Sequence, residues 1–375
     1  MDSTRDWRFL GSGASAWFDA PSMSAGAALV RRITTAQPDV DLRPGGLRVH
    51  LLQPDAELAN SISAAAHELG LTADPSILQT MRLVIDSANP SSLMPFWQTV
   101  LGDPILSFRP TPSTPLSDRL HIDVVRTPDA VSAARAAIGQ EPTGPYGVAL
   151  TDTEGNVVDL VPGDRLTKDP STADWQVLFA AMTYYSVGSP EKAAELASVV
   201  AGLADSAGLP LMVDIRPDGV TIDSGKDQWE NGEGNARSDF VDLAARIQSA
   251  ARDLKLTADL TRPRFIQLGL AAVDVPAVRA FWTAVLSYQP DPRQFLTDIF
   301  DPNRLNPVMF FQQTENHQHR NRIHIELLVP HDQATPRVEA AIAAGGRLIT
   351  ESTPSRHSLT DPEGNELDIV TFPQP

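Results

Sequence analysis

Three side chains with different chemistry alternate along one short stretch near the C-terminus. The stretch "RIHIEL" carries Arg322, His324 and Glu326 at every second position. Because successive side chains of a strand point to opposite faces, a cation, an imidazole and a carboxylate would share one face of this strand. The sequence contains no glycine-rich phosphate loop, Ser-His-Asp order or nucleophile elbow, so other common catalytic motifs do not compete with this face.

The same stretch occurs earlier in the chain, together with its neighbours. "RLHIDV" at Arg119 precedes "RIHIEL" by 203 residues, and "FWQTVL" at Phe96 precedes "FWTAVL" at Phe281 by 185 residues. "ALTDTEGNVVDLV" from Ala149 matches "SLTDPEGNELDIV" from Ser358 at 8 of 13 positions. The matches keep their order along the chain, so we interpret the chain as internally duplicated.

Each copy is expected to contain two parts with different patterns. The first part reads as a helix, a two-stranded hairpin that turns on "RPGG" or "RPDG", and a second amphipathic helix. The second part begins with a strand and a helix and closes with strand, turn and strand around "TDxEGN". Proline presets the first dihedral of such a turn and glycine takes a positive φ, which predicts a hairpin. The predicted fold class is α+β, with largely antiparallel sheets.

Composition excludes several classes of site and partner. The 375 residues include no cysteine, which excludes disulfides, thiolate metal sites and a cysteine nucleophile. A net charge of -17 repels phosphate, so we expect neither nucleic acid nor an anionic membrane as a partner. No apolar run approaches the roughly 20 residues that cross a bilayer. Because the N-terminus "MDSTRDWRFLGSG" also lacks a signal pattern, a cytoplasmic location is expected.

The second part of each copy resembles the glyoxalase-like domains of the vicinal oxygen chelate superfamily. The resemblance rests on "NPSSLMPFWQTVLG", "RLHIDV" and "TDTEGNVVDLV" with their counterparts, and predicts domains at 79–165 and 263–375. It implies βαβββ modules that curl into a half-open barrel around a pocket. It also implies that metal-binding members take one ligand from the first and the last strand of each module.

Carried over residue by residue, the resemblance implies a metal site in the second copy. The implied ligands are Gln267, Gln312, His324 and Asp368. Such an oxygen and nitrogen set could hold one divalent cation that polarises a chelating substrate, with Glu326 or Asp368 as the base. The alternative is an ordinary polar pocket face.

In the first copy, the corresponding positions imply a ligand of opposite charge. They are Arg82, Arg109, His121 and Asp159. Because arginine offers a planar fork to carboxylate or phosphate, this set favours an anionic ligand over a cation. A simple pairing of Asp159 with one of the arginines is the alternative.

The first part of each copy resembles the pterin-4a-carbinolamine dehydratases. The resemblance rests on a Trp-led entry, the helix and hairpin "AGAALVRRITTAQPDVDLRPGGLRVHL" and the helix before "LTAD", and predicts modules at 1–78 and 170–262. Histidines act as general acid and base in these enzymes. The matching positions here are Ala36, Gln37, Gln53, Gly208, Leu209 and Ser224. None of them can exchange a proton as imidazole does, so we expect no dehydratase activity.

Three functions remain open at this level. The first is a small-molecule binding protein of the glyoxalase/bleomycin-resistance type, with pockets for a polar or anionic metabolite. The second is a metal-dependent lyase, isomerase or dioxygenase that uses the second pocket, and the third is a non-catalytic assembly role. Two like domains in one chain can pack as a symmetric dimer does, so we expect a monomer with internal pseudo-twofold pairing or a homodimer.

Overall fold

The fold is described by a computed structural model for residues 5–11, 13–102, 106–111, 119–315, 323–349, 353 and 355–373. Helices and strands are mixed along the whole of this part of the chain, in agreement with the predicted α+β class. Within these ranges, no helix combines the length and the apolar character needed to span a bilayer.

The secondary structure follows the order of the sequence. The helices are α1 (Met23–Ile33), α2 (Ala56–Glu68), α3 (Pro90–Leu101), α4 (Pro128–Ile138), α5 (Pro190–Ala207), α6 (Ser238–Asp253), α7 (Val275–Leu286) and α8 (Ala334–Ala343). The strands are β1 (Trp7–Phe9), β2 (Ala14–Asp19), β3 (Asp39–Arg43), β4 (Gly46–Leu51), β5 (Thr72–Ala73), β6 (Thr80–Ser87), β7 (Leu106–Pro110), β8 (Leu120–Arg126), β9 (Ala149–Thr151), β10 (Val157–Pro162), β11 (Asp164–Arg165), β12 (Gln176–Leu178), β13 (Ala180–Ser186), β14 (Met212–Arg216), β15 (Gly219–Asp223), β16 (Thr257–Ala258), β17 (Arg264–Ala272), β18 (Gln289–Pro290), β19 (Ile299–Phe300), β20 (Val308–Gln313), β21 (Ile323–Leu328), β22 (Arg347–Leu348), β23 (Arg356–Thr360) and β24 (Glu366–Val370).

The chain forms two compact units, and each unit takes segments from both halves of the sequence. Unit 1 contains residues 1–78, 126–128 and 162–265, and unit 2 contains 79–125, 129–161 and 266–375. The four expected segments, 1–78, 79–165, 170–262 and 263–375, are thus grouped in pairs, first with third and second with fourth. Their status as four separate modules stays a prediction.

Unit 1 is built on one eleven-stranded sheet. Its strand order is β1-β2-β4-β3-β14-β15-β13-β12-β11, with β5 beside β2 and β16 beside β13. The predicted helix, hairpin and second helix are present twice, as α1, β3, β4, α2 and as α5, β14, β15, α6. The two hairpins join through β3 and β14, which run antiparallel with Asp41 opposite Asp214.

Helices cover the apolar face of this sheet. Val40, Leu42, Val213 and Ile215 alternate along the two central strands and are buried in one core with residues of α1 and α5. The first turn of α1 also receives a charge from α5, because the Asp205 carboxylate accepts hydrogen bonds from the backbone N–H groups of Met23 and Ser24. A carboxylate stabilises a helix N-terminus through the helix dipole.

The other face of the central strands holds a buried ion-pair cluster around Asp41. Arg48 Nε and an Arg216 guanidinium nitrogen each lie 2.6 Å from a carboxylate oxygen of Asp41, and Arg43 lies 4.0 Å away. Arg43 in turn pairs with Asp214 at 2.7 Å. Burial opposes ionisation of Asp41, but the three arginines outweigh it and hold its pKa well below the usual range.

Unit 2 contains two sheets, and each of them is assembled from both halves of the chain. The seven-stranded sheet has the order β18-β19-β20-β17-β8-β10-β9, and the six-stranded sheet has the order β22-β23-β24-β21-β6-β7. The first-half strand β6 therefore pairs with β21, from Ile85 opposite Ile323 to Thr80 opposite Leu328. The first-half strand β8 lies next to β17 of the second half.

Alternation gives each sheet of unit 2 one apolar and one polar face. On β17, Leu268, Leu270 and Ala272 join a core that also contains Trp97 and Trp282 of helices α3 and α7. The residues between them on β17 point to the opposite face. The polar faces are therefore the surfaces on which site residues can gather.

The repeated "TDxEGN" motif is the predicted hairpin turn, and its first Asp also binds a core tryptophan. Asp361 accepts a hydrogen bond from Trp282 Nε1 at 3.0 Å and another from the Asn365 amide at 2.6 Å, and Asp152 accepts the equivalent bond from Trp97 at 2.9 Å. Gly155 and Gly364 adopt φ of 92° and 91°, as the turn requires. The motif therefore joins the closing hairpin of each half to the helix of the same half.

Replacing Asp41 by Asn should destabilise the protein by about 3 kcal/mol at neutral pH, because three buried or half-buried guanidinium groups would lose their shared countercharge. The folded-state pKa of Asp41 is depressed, so this stabilisation is present above the unfolded pKa of about 3.9 and is lost as the pH falls through the folded pKa. Urea denaturation of the variant at pH 7 and in acid measures both effects. Asp214→Asn, whose side chain is 36% exposed, is the matched control and should cost less. Equal losses for the two variants would contradict this assignment.

Candidate functional site

One cluster of acidic and imidazole groups lies on the polar face of the seven-stranded sheet. His121 and Asp123 stand on β8, Asp159 on the neighbouring strand β10, and Gln267 on β17 at the other side of β8. All four occupy alternate positions that point away from the apolar core. The cluster therefore draws on both halves of the chain.

The ligand atoms of this cluster are close enough to share one ion. One nitrogen of His121 and one carboxylate oxygen each of Asp123 and Asp159 all lie within 4.8 Å of one another. Gln267 Nε2 donates a 2.8 Å hydrogen bond to Asp123 Oδ2, which fixes the orientation of that carboxylate. Asp123 Oδ1 and Gln267 Oε1 are buried and have no hydrogen-bond partner among the described residues. Buried polar atoms are normally paired, so these two oxygens indicate a missing partner.

The cluster also has uncompensated negative charge. Burial and the nearby Asp123 raise the pKa of Asp159, while His121 acts in the opposite direction. In the described part of the chain, no arginine or lysine forms an ion pair with Asp123 or Asp159. The two carboxylates and the neutral oxygen of Gln267 thus form a set that could hold a cation.

The His121 ring occupies space that is open because residue 269 is glycine. A Cβ at Gly269 would lie 2.2 Å from His121 Cε1 and 2.7 Å from the Phe310 ring. Phe310 meets the His121 ring edge to face, with centroids 5.5 Å apart. Gly269 and Phe310 are register partners on β17 and β20, so this pair of strands shapes the space that the imidazole fills.

The six-stranded sheet carries a second polar face with a different composition. Arg109 binds Asp86 through two hydrogen bonds of 2.7 and 2.9 Å, and its pKa is raised chiefly by them. Arg356 binds Asp368 at 2.6 Å and also donates to Glu326. Guanidinium groups therefore neutralise the carboxylates of this face.

His324 lies buried within this network. Its side chain is 2% exposed, neither ring nitrogen has a hydrogen-bond partner among the described residues, and Nε2 is 3.8 Å from Asp368 Oδ2. Burial and the positive charge of Arg109 lower the pKa of His324 to about 4, so its imidazole is neutral at physiological pH. Arg82 stands opposite Glu326 in the strand register.

The structure redistributes the residues that the sequence assigned to two pockets. Of the expected metal ligands, Gln267 and Gln312 lie in the seven-stranded sheet, whereas His324 and Asp368 lie in the six-stranded sheet. Gln312 is exposed. Gln267 pairs with Val308, so Gln312 lies four positions farther along β20 and pairs with Ala271. The four do not come together, because β17 and β20 of the second half join the sheet of the first-half strand β8, whereas β21 and β24 join the sheet of the first-half strand β6.

The expected anion-binding set is divided in the same way. Arg82 and Arg109 belong to the six-stranded sheet, and His121 and Asp159 to the seven-stranded sheet. Asp159 therefore does not pair with either arginine, and Arg109 binds Asp86 instead. Glu326, the candidate base, forms an ion pair with Arg356. Arg322 lies outside the described residues.

Three residues of these faces were not singled out from the sequence. Asp123 follows His121 by two positions in "RLHIDV", and Asp86 follows Arg82 by four in "MRLVIDS", so the alternation that placed Glu326 beside His324 also places them. Arg356 carried no comparable signal, because its role depends on the pairing of β23 with β24.

Unit 1 contains a separate cleft with a volume of about 610 Å³. It includes Gln37 and Gln53, the positions that match dehydratase histidines, and also Asp39 and His50. Burial and then Arg48 lower the pKa of His50, and burial raises the pKa of Asp39. His50 Nδ1 lies 2.9 Å from the Ser15 hydroxyl. The sequence reasoning did not identify His50, which is three residues before the aligned position.

Comparison with known proteins assigns part of unit 2. Residues 267–370 match the family model of the glyoxalase-like domain. This segment lies within unit 2 and is similar to glyoxalase-like domains. A search of curated proteins found no match.

Three solved structures with similarity to this chain match different shares of its length. A glyoxalase/bleomycin resistance protein from Albidiferax ferrireducens is 19% identical, with 28% of this chain and 95% of that chain covered and a TM-score of 0.24. A mutant of the fosfomycin resistance protein FosX from Listeria monocytogenes, in complex with Mn(II) and 1S,2S-dihydroxypropylphosphonic acid, is 12% identical over 27% and 84% of the two chains, with a TM-score of 0.24. A glyoxalase I mutant from Zea mays is 8% identical over 80% and 95%, with a TM-score of 0.36.

Substituting Gly269 by Ala should displace the His121 ring and weaken divalent-cation binding by about tenfold, because the new Cβ would lie only 2.2 Å from His121 Cε1. Titration of the metal-free protein with Mn²⁺ measures the affinity. Gly202→Ala in α5, where a Cβ meets nothing within 4 Å, is the matched control and should bind as the parent does. Unchanged affinity in Gly269→Ala would remove His121 from the site.

Proposed function

We propose that unit 2 binds one divalent cation on the polar face of its seven-stranded sheet, and through it a small, oxygen-rich ligand. The observation that carries this proposal is the group of three ligand atoms from His121, Asp123 and Asp159 within 4.8 Å of one another. Two buried oxygens without partners and the absence of a described countercharge support it. The match of residues 267–370 to the glyoxalase-like family is consistent with a pocket on this face.

The residue types favour a particular class of metal. One imidazole, two carboxylates and an amide oxygen form a predominantly oxygen set, which suits Mn²⁺, Mg²⁺ or Fe²⁺ better than the thiolate-preferring metals. His121, Asp123 and Asp159 would hold the ion, and Gln267 would either add its Oε1 or keep Asp123 oriented through Nε2. A bound cation of this kind supplies Lewis-acid polarisation of ligand oxygens.

The geometry supports binding more directly than it supports turnover. Glu326, the base expected from the sequence, lies on the other sheet in an ion pair with Arg356. A lyase, isomerase or dioxygenase reaction on the seven-stranded face would have to use a group of that face. Among the described residues, its imidazole and carboxylate groups are the three candidate ligands themselves. We therefore propose a small-molecule binding protein of the glyoxalase type, with metal-dependent catalysis as the second reading.

We further propose that the chain arose by internal duplication and acts as a monomer with an internal pseudo-twofold axis. The reciprocal ion pairs across β3 and β14, Arg43 with Asp214 and Arg216 with Asp41, support this proposal. The equivalent bonds of Trp97 and Trp282 to the two turns support it as well. A single species at the mass of one chain in solution would agree with it, and a stable dimer would not.

A second candidate site for a small molecule is the cleft of unit 1. Its charged lining residues are Asp39, which lies 3.9 Å from Arg216 Nε, and Asp55, which caps the N-terminus of α2. Among the described residues no arginine or lysine lines it, and burial lowers the pKa of His50, which disfavours its charged form. Gln37 holds the left-handed conformation, with φ of 50°, at the same cleft, and such strained positions cluster at binding sites. Acceptors outnumber cationic donors here, so we propose a ligand that carries amino or amidine groups.

Asp123→Asn and Asp159→Asn should each abolish binding of Mn²⁺ to the metal-free protein, because each removes one anionic ligand of the cluster. Native mass spectrometry gives the number of ions per chain, and calorimetric titration gives the affinity. Asp368→Asn on the six-stranded sheet is the matched control and should keep one ion. If the parent protein binds no Mn²⁺, or if Asp368→Asn is the variant that loses it, the proposed site is wrong.

Three probes of equal shape test the unit 1 cleft: benzamidine, benzamide and benzoate. Benzamidine should bind about tenfold more tightly than benzoate, a difference of about 1.4 kcal/mol, because the cleft presents two carboxylates. Saturation-transfer NMR with metal-free protein measures the three affinities. Asp39→Asn should reduce the preference, and Asp253→Asn on the exposed surface of α6 should leave it unchanged. Equal binding of the three probes, or tighter binding of benzoate, would refute the ligand class.

A further inference from the structure

The polar face of the six-stranded sheet has the groups of a metal site but a different arrangement of charge. Asp86, His324, Glu326 and Asp368 lie on adjacent strands and point to one face. Unlike the seven-stranded cluster, these ligand atoms do not form a group that could share one ion in the described part of the chain. Two guanidinium groups stand between them.

Each arginine makes the contacts that a cation would make. Arg109 engages both oxygens of Asp86, at 2.7 and 2.9 Å, and its third nitrogen lies 3.9 Å from Asp368 Oδ2. Arg356 bridges two carboxylates, since one nitrogen binds Asp368 at 2.6 Å and the other binds Glu326. Each guanidinium thus links two acidic side chains that come from different strands.

The buried imidazole of His324 has ring nitrogens that the two arginines do not contact by hydrogen bonds. His324 has two ring nitrogens that are buried and lack a partner among the described residues, although Asp368 Oδ2 is only 3.8 Å from Nε2. The guanidinium N–H groups of Arg109 and Arg356 are engaged by carboxylates. In the described part of the chain, none of them donates to His324, so the ring keeps a lone pair that a metal ion could bind. An orphaned imidazole beside two saturated carboxylates is the expected result when arginine occupies the place of a metal.

We propose that Arg109 and Arg356 take the place of a divalent cation on the six-stranded sheet, and that they keep this face free of metal. Internal cations then neutralise the carboxylates of the six-stranded face, whereas Asp123 and Asp159 form no ion pair with a described arginine or lysine. Removal of a guanidinium group should convert the second face into a metal site that uses His324, Asp86 and Asp368. This inference goes beyond the proposed function and does not depend on it.

The test counts Mn²⁺ ions per chain in the Asp123→Asn background, which isolates the six-stranded face. Arg109→Met retains much of the length of the side chain and removes its charge, so it should bind one more Mn²⁺ than its parent, and a further His324→Ala change should remove that ion again. Arg109→Lys keeps the positive charge and should gain none. Arg356→Met is the second variant if Arg109→Met does not fold, as judged by circular dichroism.

Three results would overturn the inference. The first is a second Mn²⁺ in the protein that keeps both arginines, because the face would then accept metal without their removal. The second is an unchanged ion count in folded Arg109→Met and Arg356→Met. The third is an added ion that survives His324→Ala, since that ion would lie elsewhere. A parent protein that binds no Mn²⁺ would contradict the proposed function but not this inference, because the comparison is with the parent count.

Discussion

Strand pairing between the two halves of the chain is the constraint on which both sheets of unit 2 depend. Strand β6 lies against β21 over six register pairs, and β8 lies beside β17. Neither half can complete a sheet alone, so the interior face of each sheet forms only when residues far apart in sequence meet. In such long-range pairing, the chain loses the entropy of loop closure before it gains the stabilising contacts. We therefore expect slow folding.

The tryptophan–aspartate bonds act in the other direction and hold each half to itself. Trp97 binds Asp152 and Trp282 binds Asp361, and in each case the turn and the helix belong to the same half. Glu363 extends this link, because it accepts hydrogen bonds from the backbone of Val273 and Asp274 at the start of α7. Sheets that join the halves and turns that join each half internally together give unit 2 one continuous core.

Much of the local structure could be predicted from the sequence, and the composition of the sites could not. Periodicity and turn chemistry predicted the helices, the hairpins and the positive φ at Gly155 and Gly364. Alternation along "RIHIEL" correctly placed His324 and Glu326 on one face of β21. The partner of a strand is different information, because no local pattern states which distant strand completes a ladder. Each expected ligand set was taken from one half of the chain. Each set therefore combined two residues of the seven-stranded sheet with two residues of the six-stranded sheet.

The same pairing explains why two similar halves produce faces with different chemistry. Each face takes its first strands from one half and its last strands from the other, so Gln267 and Asp123, 144 residues apart, are direct partners. A substitution in one half then alters a face that also contains unchanged residues of the other half. Arg109 on β7 brings a positive charge to the six-stranded face, whereas Gln267 on β17 brings a neutral amide to the seven-stranded face. One carboxylate cluster is thereby neutralised within the protein, while the other has no arginine or lysine ion pair among the described residues.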